Sequence, residues 1–250
     1  MLGYHASMID NNSQVKIIPP QTERELLLRC QYLAGKTLGM LAAELDVMVP
    51  DNLLHHKGWV GNLLELYLGA DAGNKAEPDF VGLGIEMKTL PLNALGQPKE
   101  STYVCTVSMN QSGELSWQDS WVRRKLARVL WVPIEADANI PIAERYVGNA
   151  WLWQPNEQQN FILQRDWEEL MDRIVLGEQS EITAKEGEYL QIRPKAANSK
   201  VLVNGISSSG ANEKINPKGF YLRAIFTRQL LEQVSSSDMR IINSTEWISN

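Results

Sequence analysis

The sequence predicts an α/β protein, with α+β as the alternative, in which a mixed sheet is flanked by helices. Three observations predict this fold class: helical patterns fill residues 20–69, period-two patterns follow in the middle of the chain, and a basic, β-rich segment comes late. The chain has 250 residues, of which 44% are hydrophobic and 22% charged, and this is enough for one large domain or two small lobes.

Three short helices are predicted after residues 1–18, which show no period and are expected to form a flexible tail. The first helix opens on a capping box, in which Thr22 caps the helix and Glu25 follows three residues later. Glycine or proline ends each helix. The expected starts are Thr22, Thr37 and Gly58, and the expected ends are Gly35, the neighbourhood of Pro50, and Gly69.

Alternating apolar residues then predict strands. The first strand places Leu83, Ile85 and Met87 on one face, and Glu86 and Lys88 on the other. Further strands are expected at 102–109, 129–135, 146–154 and 218–226, a hairpin at 182–183 and 189–192, and helices at 156–176 and from the last strand to about 234. A Gly/Ser-rich loop is expected at 201–216 and a flexible tail at 236–250, which leaves residues 19–235 as the folded domain.

Composition excludes several classes of protein. No run of about 18 apolar residues occurs, so no membrane span is predicted. The first residues lack the basic start and apolar stretch of a secretory leader. Two cysteines are too few for a disulfide scaffold or a four-cysteine zinc site. A cytoplasmic location is therefore expected.

The charge is unevenly distributed along the chain. The net charge is −6, yet residues 193–228 contain seven basic residues and one acid, and residues 121–131 contain four basic residues and no acid. Such segregation is typical of a surface that binds a polyanion on an otherwise acidic body. Two solvated basic faces without a partner are the alternative.

Three charged residues around a glycine-containing bend suggest metal-assisted chemistry. Asp79 lies seven residues before Glu86, and a continuous strand would hold them about 23 Å apart. Gly82 and Gly84 allow a bend that returns Asp79 to Glu86, and two carboxylates form a hard-oxygen site suited to Mg²⁺. Lys88 would hold the attacking water or stabilise the transition state of phosphodiester hydrolysis. An ordinary Glu–Lys pair on a solvated strand face is the alternative.

A fourth acid lies in an apolar run. Glu65 is flanked by leucines in the predicted third helix, and a buried charge is costly unless it is paired or ligated. Glu65 would then be a third carboxylate that supports the same ion. The alternative is that it faces water on an amphipathic helix.

A series of segments in the same order resembles the MutH family of DNA mismatch repair endonucleases. The resemblance covers roughly residues 20–233. The segments that carry it are Lys57–Gly61 with Leu64–Glu65, Pro78–Thr89, Val122–Leu126 with Val129–Pro133, Trp167–Met171, Glu188–Ala197 and Lys218–Leu222.

The resemblance implies a restriction-endonuclease-like core in two lobes around a DNA-binding cleft, with a catalytic N-terminal lobe and a DNA-reading C-terminal lobe. It implies a monomeric, Mg²⁺-dependent enzyme that nicks the unmethylated strand of hemimethylated GATC sites in double-stranded DNA. MutL would activate the enzyme, and MutS would act indirectly.

The resemblance also assigns roles to individual residues. It makes Asp79, Glu86 and Lys88 the catalytic triplet with Glu65 as the helix carboxylate, Asp79, Glu86 and Met87 the metal-binding residues, and Lys57, Lys125, Arg193, Pro194, Lys195 and Tyr221 the DNA-binding residues. Arg193, Pro194, Lys195 and Tyr221 match the part of the family that reads the target and senses adenine methylation.

Two alternative functions remain open. One is a GATC-specific restriction endonuclease that breaks both strands, although such enzymes usually dimerise or duplicate the core, and only one acid-x-Lys triplet occurs here. The other is a non-catalytic DNA-binding protein with the same fold, against which the intact Asp79, Glu86 and Lys88 argue.

Overall fold

A computed structural model describes residues 7–9, 15–73, 75, 77–107, 116–178, 181–195, 203–206 and 212–236. The strands are β1 (Ser7–Ile9), β2 (Val15–Ile17), β3 (Glu86–Leu92), β4 (Thr102–Thr106), β5 (Val129–Glu135), β6 (Trp151–Trp153), β7 (Leu190–Pro194), β8 (Val203–Ile206), β9 (Asn212–Ile215) and β10 (Lys218–Leu222). The α-helices are α1 (Glu23–Leu33), α2 (Leu38–Glu44), α3 (Trp59–Leu68), α4 (Trp121–Leu126), α5 (Glu157–Val175) and α6 (Ala224–Ser236).

The chain forms two compact units, each built from stretches that alternate along the sequence. The first unit comprises Met1–Lys99, Arg128–Trp153 and Asp238–Asn250, and the second comprises Glu100–Ala127 and Gln154–Ser237. Helices together with one mixed and one antiparallel three-stranded sheet confirm the predicted α/β class.

The first unit is built on a mixed sheet of order β3-β5-β6. β3 runs parallel to β5, with Glu86 opposite Val129, and β6 runs antiparallel to β5. The first six residues of β5 are buried, as expected for a central strand covered on both faces. Leucines from α1, α2 and α3 pack with this sheet in one core, which includes Leu26, Leu38, Leu64 and Leu68.

The second unit contains an antiparallel sheet of order β4-β10-β7 and a separate hairpin of β8 and β9. One face of the sheet is apolar, because Phe220, Leu222, Leu190 and Ile192 are buried. α5 packs beside β7.

Local capping signals explain why the helix starts were predictable. The Thr22 and Thr37 hydroxyls accept hydrogen bonds from the backbone N–H groups of Glu25 and Met40, at 3.1 and 3.2 Å. The capping box at α1 is incomplete, because Glu25 accepts from Gln21 N–H rather than from the cap residue. α2 ends at Glu44, earlier than the predicted neighbourhood of Pro50.

The boundaries or the pairing of several predicted strands differ from the structure, because strand pairing joins residues that are distant in sequence. β3 begins at Glu86, and Leu83 belongs to a short 3-10 turn. The predicted hairpin of 182–183 with 189–192 is wrong, because β7 pairs with β10. The predicted loop at 201–216 contains β8 and β9 instead.

Other boundaries shift as well. The predicted strand at 146–154 is reduced to β6, and the predicted strand at 218–226 ends at Leu222, before α6. The aperiodic segment 1–18 contains the short antiparallel pair of β1 and β2. Residues 237–250 lie outside the described residues. Within the described ranges, no helix combines the length and apolarity that crossing a bilayer requires.

Gly69 is required where α3 ends. Its φ is +83°, and an added Cβ would lie 2.7 Å from Arg29 Nη1 and 2.9 Å from the Ile18 carbonyl oxygen. We expect Gly69→Ala to lower the free energy of unfolding by about 2–3 kcal/mol, since it adds a clash to a left-handed backbone. Gly35→Ala is the matched control, because Gly35 has φ +79° and no atom within 4 Å of its added Cβ. Equal losses in urea melts of the two variants would contradict the prediction.

Candidate active site and candidate nucleic-acid interface

A tight loop returns Asp79 to the start of β3. Phe80 and Ile85 exchange backbone hydrogen bonds of 2.9 and 3.3 Å, and Gly84 adopts φ +64° in the left-handed region. The Asp79 carboxylate consequently reaches β3, where Oδ2 accepts the Met87 backbone N–H at 2.7 Å. The predicted bend is therefore present, with Gly84 rather than Gly82 in the conformation that favours glycine.

The position of Asp79 follows from the edge of the sheet. Glu86 N–H donates to the carbonyl of Arg128 at 3.0 Å, next to β5. Because successive N–H groups of a strand point to opposite sides, Met87 N–H points to the outer edge of β3, which is an edge strand. A carboxylate that accepts this N–H satisfies a donor that the sheet leaves unpaired. The Asp79 carboxylate is thereby held at Met87, the residue next to Glu86 in the strand.

Glu86 and Lys88 form a buried ion pair on one face of β3. Lys88 Nζ lies 3.3 Å from Glu86 Oε1, and the two residues are only 8% and 6% exposed. The alternative of an ordinary pair on a solvated strand face is therefore wrong. Burying two charges costs more free energy than their mutual attraction usually returns. Such a pair is retained more readily for chemistry than for stability.

The other predicted residues of the first unit lie at separate places. Glu65 is half-buried on α3, and an added Cβ at Gly61 would lie 3.8 Å from its Oε1. Lys57 is exposed immediately before the cap residue of α3. The Met87 side chain is buried in the core, so that only its backbone carbonyl could face an ion.

Within the described part of the chain, no group of three or more His, Cys, Asp or Glu side chains could together hold a metal ion. Support of the same ion by Glu65 stays a prediction.

Of the predicted DNA-reading residues, Arg193, Lys195 and Tyr221 come together on the open face of the β4-β10-β7 sheet, and strand alternation places Pro194 on the other face. Arg193, Pro194 and Lys195 are exposed at the end of β7, and Gly219 of β10 lies opposite Arg193. The Arg193 guanidinium carbon lies 5.9 Å from the centre of the Tyr221 ring. Burial is the largest influence on the Tyr221 hydroxyl and raises its pKa, so the group stays protonated and can donate a hydrogen bond.

Three residues of β4 and the segment before it were missed by the sequence analysis. Ser101 Oγ accepts from Arg193 Nη1 at 2.6 Å, and Thr106 Oγ1 accepts from Lys195 Nζ at 2.8 Å. The Tyr103 ring packs edge-on against Tyr221, with ring centres 5.3 Å apart. Tyr103 and Thr106 were predicted only as part of the strand at 102–109, Ser101 lies just before that strand, and no charge or motif marks any of the three.

The remaining basic residues have mixed roles. Lys125 is half-buried on α4 in the second unit. The Arg223 guanidinium donates to the carbonyls of Lys185 and Gly187 at 3.0 and 2.9 Å, so it braces the loop before β7 instead of forming an open basic surface. Lys200, which was counted in the basic segment, lies outside the described residues.

A buried carboxylate that the sequence did not reveal supports the reading strand. Asp166 of α5 is 1% exposed, and its Oδ2 accepts the backbone N–H groups of Glu188, Tyr189 and Leu190 at 2.9, 2.6 and 2.9 Å. These N–H groups lead directly into β7. Asp166 therefore fixes the entry of the strand that carries Arg193 and Lys195.

Comparisons with known proteins identify relatives of this chain. Residues 68–166 match the family model for "DNA mismatch repair enzyme MutH", and this range includes Asp79, Glu86 and Lys88. The DNA mismatch repair protein MutH of Escherichia coli O17:K52:H18 (strain UMN026 / ExPEC) is 52% identical to this chain over 213 residues, which cover 85% of this chain and 93% of that protein. The proteins of the same name from strains O6:K15:H31 (strain 536 / UPEC) and K12 match with the same identity and coverage.

Proposed function

This chain belongs to the MutH family of DNA mismatch repair enzymes, and from that premise we propose that it is a Mg²⁺-dependent endonuclease that nicks the unmethylated strand at hemimethylated GATC sites. Activation by MutL after MutS has found a mismatch is part of the same proposal. The observation that carries the catalytic assignment is the 2.7 Å contact between Asp79 Oδ2 and Met87 N–H, which sets a second carboxylate beside the buried Glu86–Lys88 pair.

The donor set at the start of β3 suits Mg²⁺. Asp79 and Glu86 supply carboxylate oxygens, and Met87 supplies a backbone carbonyl. Mg²⁺ commonly takes one or two carboxylates and keeps several waters, so a larger acidic cluster is not required. When bound, the ion supplies a Lewis acid that polarises a phosphoryl oxygen.

The chain's own residues contribute positioning and charge. The Lys88 ammonium has three N–H donors, and among the described residues it uses one of them on Glu86. A further donor can hold the attacking water or stabilise charge that develops on the scissile phosphate. Burial strengthens this interaction, because a low local dielectric increases the attraction between an ammonium and a phosphate.

Recognition of the target is assigned to the second unit. Arg193 presents a guanidinium that can donate two hydrogen bonds to a guanine edge, which is the commonest specific contact in the major groove. Tyr221 lies beside Arg193 with a protonated hydroxyl, which would contact the amino group of an adenine. A methyl group on that amino nitrogen would obstruct the contact. Lys195 would contact either a base edge or a phosphate.

A plasmid assay tests the proposal. Supercoiled DNA with hemimethylated GATC sites should become nicked circles in Mg²⁺, and added MutL should increase the rate. Fully methylated plasmid is the control and should stay intact. Linear product at early times would favour the double-strand restriction endonuclease, and binding without any incision would favour the non-catalytic DNA-binding protein.

Salt dependence tests the role of Lys195. A protein that neutralises phosphates binds DNA less tightly as salt rises, with a slope of about −0.9 per phosphate contacted. If Lys195 contacts a phosphate, Lys195→Met should reduce the slope of log K against log salt by about 1, measured by fluorescence anisotropy. Lys185→Met is the control, because Lys185 is also exposed but is not one of the predicted DNA-reading residues. Affinity that ignores salt between about 50 and 200 mM would contradict DNA binding through this surface.

The remaining expectations are part of the proposal and rest on the family alone. They are the contacts of Lys57 and Lys125 with DNA, the restriction-endonuclease-like classification of the core with a DNA cleft between a catalytic and a reading lobe, the monomeric state and the cytoplasmic location.

A further inference from the structure

The two cations at the end of β7 are held by the hydroxyl groups of Thr106 in β4 and of Ser101 just before it, although β4 does not pair with β7. β10 lies between β4 and β7 in the sheet. Even so, Ser101 Oγ lies 2.6 Å from Arg193 Nη1 and Thr106 Oγ1 lies 2.8 Å from Lys195 Nζ. These contacts cross the whole width of the central strand.

Glycine at position 219 makes the crossing possible. Gly219 lies opposite Arg193 on one side and opposite Thr106 on the other, so any side chain there would stand between them. An added Cβ would lie 2.9 Å from Tyr103 Cε2 and 3.2 Å from Tyr221 Cε2. The gap above Gly219 lets Lys195 reach Thr106, whereas Arg193 reaches Ser101 past the Tyr221 ring.

A bulge in β4 brings the side chains of Tyr103 and Thr106 to the same face of the sheet, beside this gap. Strict alternation would place Tyr103 and Thr106 on opposite faces of the sheet. The pairing shifts between Phe220 and Tyr221, so that Tyr103 lies opposite Tyr221 while Thr106 lies opposite Gly219. As a result the Tyr103 hydroxyl and Thr106 Oγ1 are 2.8 Å apart on one face, and Lys195 Nζ lies 5.3 Å from the centre of the Tyr103 ring.

Stability does not account for this arrangement. Arg193, Lys195, Tyr103 and Thr106 are all exposed. Fixing a long exposed side chain costs up to about 2 kcal/mol of rotamer entropy, and an exposed polar contact returns little of it. Ordering of this kind benefits a bound ligand, because the cost of orienting the cations is met before the ligand arrives.

We propose that Ser101 and Thr106 are positioning residues for sequence discrimination, which hold Arg193 and Lys195 in the orientation from which these cations read the DNA target. Neither hydroxyl needs to touch DNA. Tyr103 assists by supporting Lys195 with its ring and Thr106 with its hydroxyl. This inference rests on the proposed function and names residues that determine its specificity.

Thr106→Val and Ser101→Ala test the inference, because they remove a hydroxyl and leave every charge in place. Binding is measured by anisotropy in Ca²⁺, with one duplex that contains GATC and another in which the four base pairs are permuted. We expect each variant to reduce the ratio of the two affinities by about threefold to tenfold, as for the loss of one hydrogen bond. The slope of affinity against salt should not change, since no cation is removed.

Two further variants separate positioning from folding. Thr106→Ser restores the acceptor and should restore the wild-type affinity ratio. Thr102→Val makes the same chemical change on β4 at a residue opposite Leu222, and should leave the ratio unchanged. Melting temperatures of all variants show whether the sheet is intact.

The inference is overturned if Thr106→Val and Ser101→Ala keep the wild-type ratio within twofold, or if they weaken both duplexes equally. Failure of the proposed function looks different, because the wild-type protein itself would then show no preference for the GATC duplex.

Discussion

Lys88→Ala should bind GATC-containing DNA within a few-fold of the wild-type affinity and incise it about 10²- to 10³-fold more slowly. The Lys88 ammonium is 8% exposed and lies 3.3 Å from Glu86 Oε1, beside the position to which the loop returns Asp79. Loss of a preorganised donor in a water-excluded site typically costs this much in rate, because the charge that develops in the transition state is no longer stabilised. The rate is measured as nicked-circle formation, and the affinity by anisotropy on the same preparation.

Glu86→Ala should abolish incision, but loss of the metal-binding carboxylate must be distinguished from loss of the folded state as the reason. Removing one member of a buried ion pair leaves an uncompensated charge, which costs about 3–5 kcal/mol in typical cases. Glu86→Gln retains the volume and a hydrogen-bond acceptor and removes the charge that a divalent ion requires. The informative comparison is therefore Glu86→Gln and Lys88→Met against wild type, at a temperature at which all three are folded by circular dichroism.

Lys185→Ala controls for the general loss of a positive charge, because Lys185 is exposed in the second unit. It should incise at the wild-type rate. A normal rate of incision in Lys88→Ala or Glu86→Ala would refute the assignment of the catalytic residues. Loss of DNA binding in step with incision would instead place these residues in recognition.

The features of the fold and the site that could be predicted are those determined by a few consecutive residues. The start of α1 followed from a cap residue and the acid three residues later, and the loop at Asp79 followed from the bend that Gly82 and Gly84 allow, of which Gly84 adopts the left-handed backbone. Such signals involve only a few consecutive residues, so a single sequence contains them in full. The catalytic residues of the first unit could be proposed for the same reason.

The unpredicted part depends on strand pairing over long sequence separations. Nothing near Glu86 in the sequence reveals that its pair with Lys88 is buried, because solvent exposure depends on tertiary packing and not on the local alternation of residues. The contact of Thr106 with Lys195 joins residues 89 positions apart and needs both a bulge and a glycine in the strand between them. A one-residue shift of register would turn Thr106 to the other face.

Asp166→Ala should lower the free energy of unfolding by about 3–5 kcal/mol, because it removes a buried carboxylate that accepts three backbone N–H groups. Hydrogen bonds to an ionised acceptor are about twice as strong as neutral ones, and three backbone donors would lose their partner together. For a chain of 250 residues this corresponds to a fall in melting temperature of roughly 10 °C. Asp166→Asn keeps one acceptor oxygen without its charge, so its loss should be smaller.

Asp172→Ala provides the comparison for this variant, because Asp172 lies on the same helix and is exposed. It should melt within about 2 °C of wild type, as is usual for exposed positions. Below its own melting temperature, Asp166→Ala should also lose preference for the GATC duplex, because the segment that it releases leads into the strand that carries Arg193 and Lys195. Equal melting of the two variants would mean that water replaces the carboxylate at no cost, and that the entry of β7 is fixed by its pairing with β10 alone.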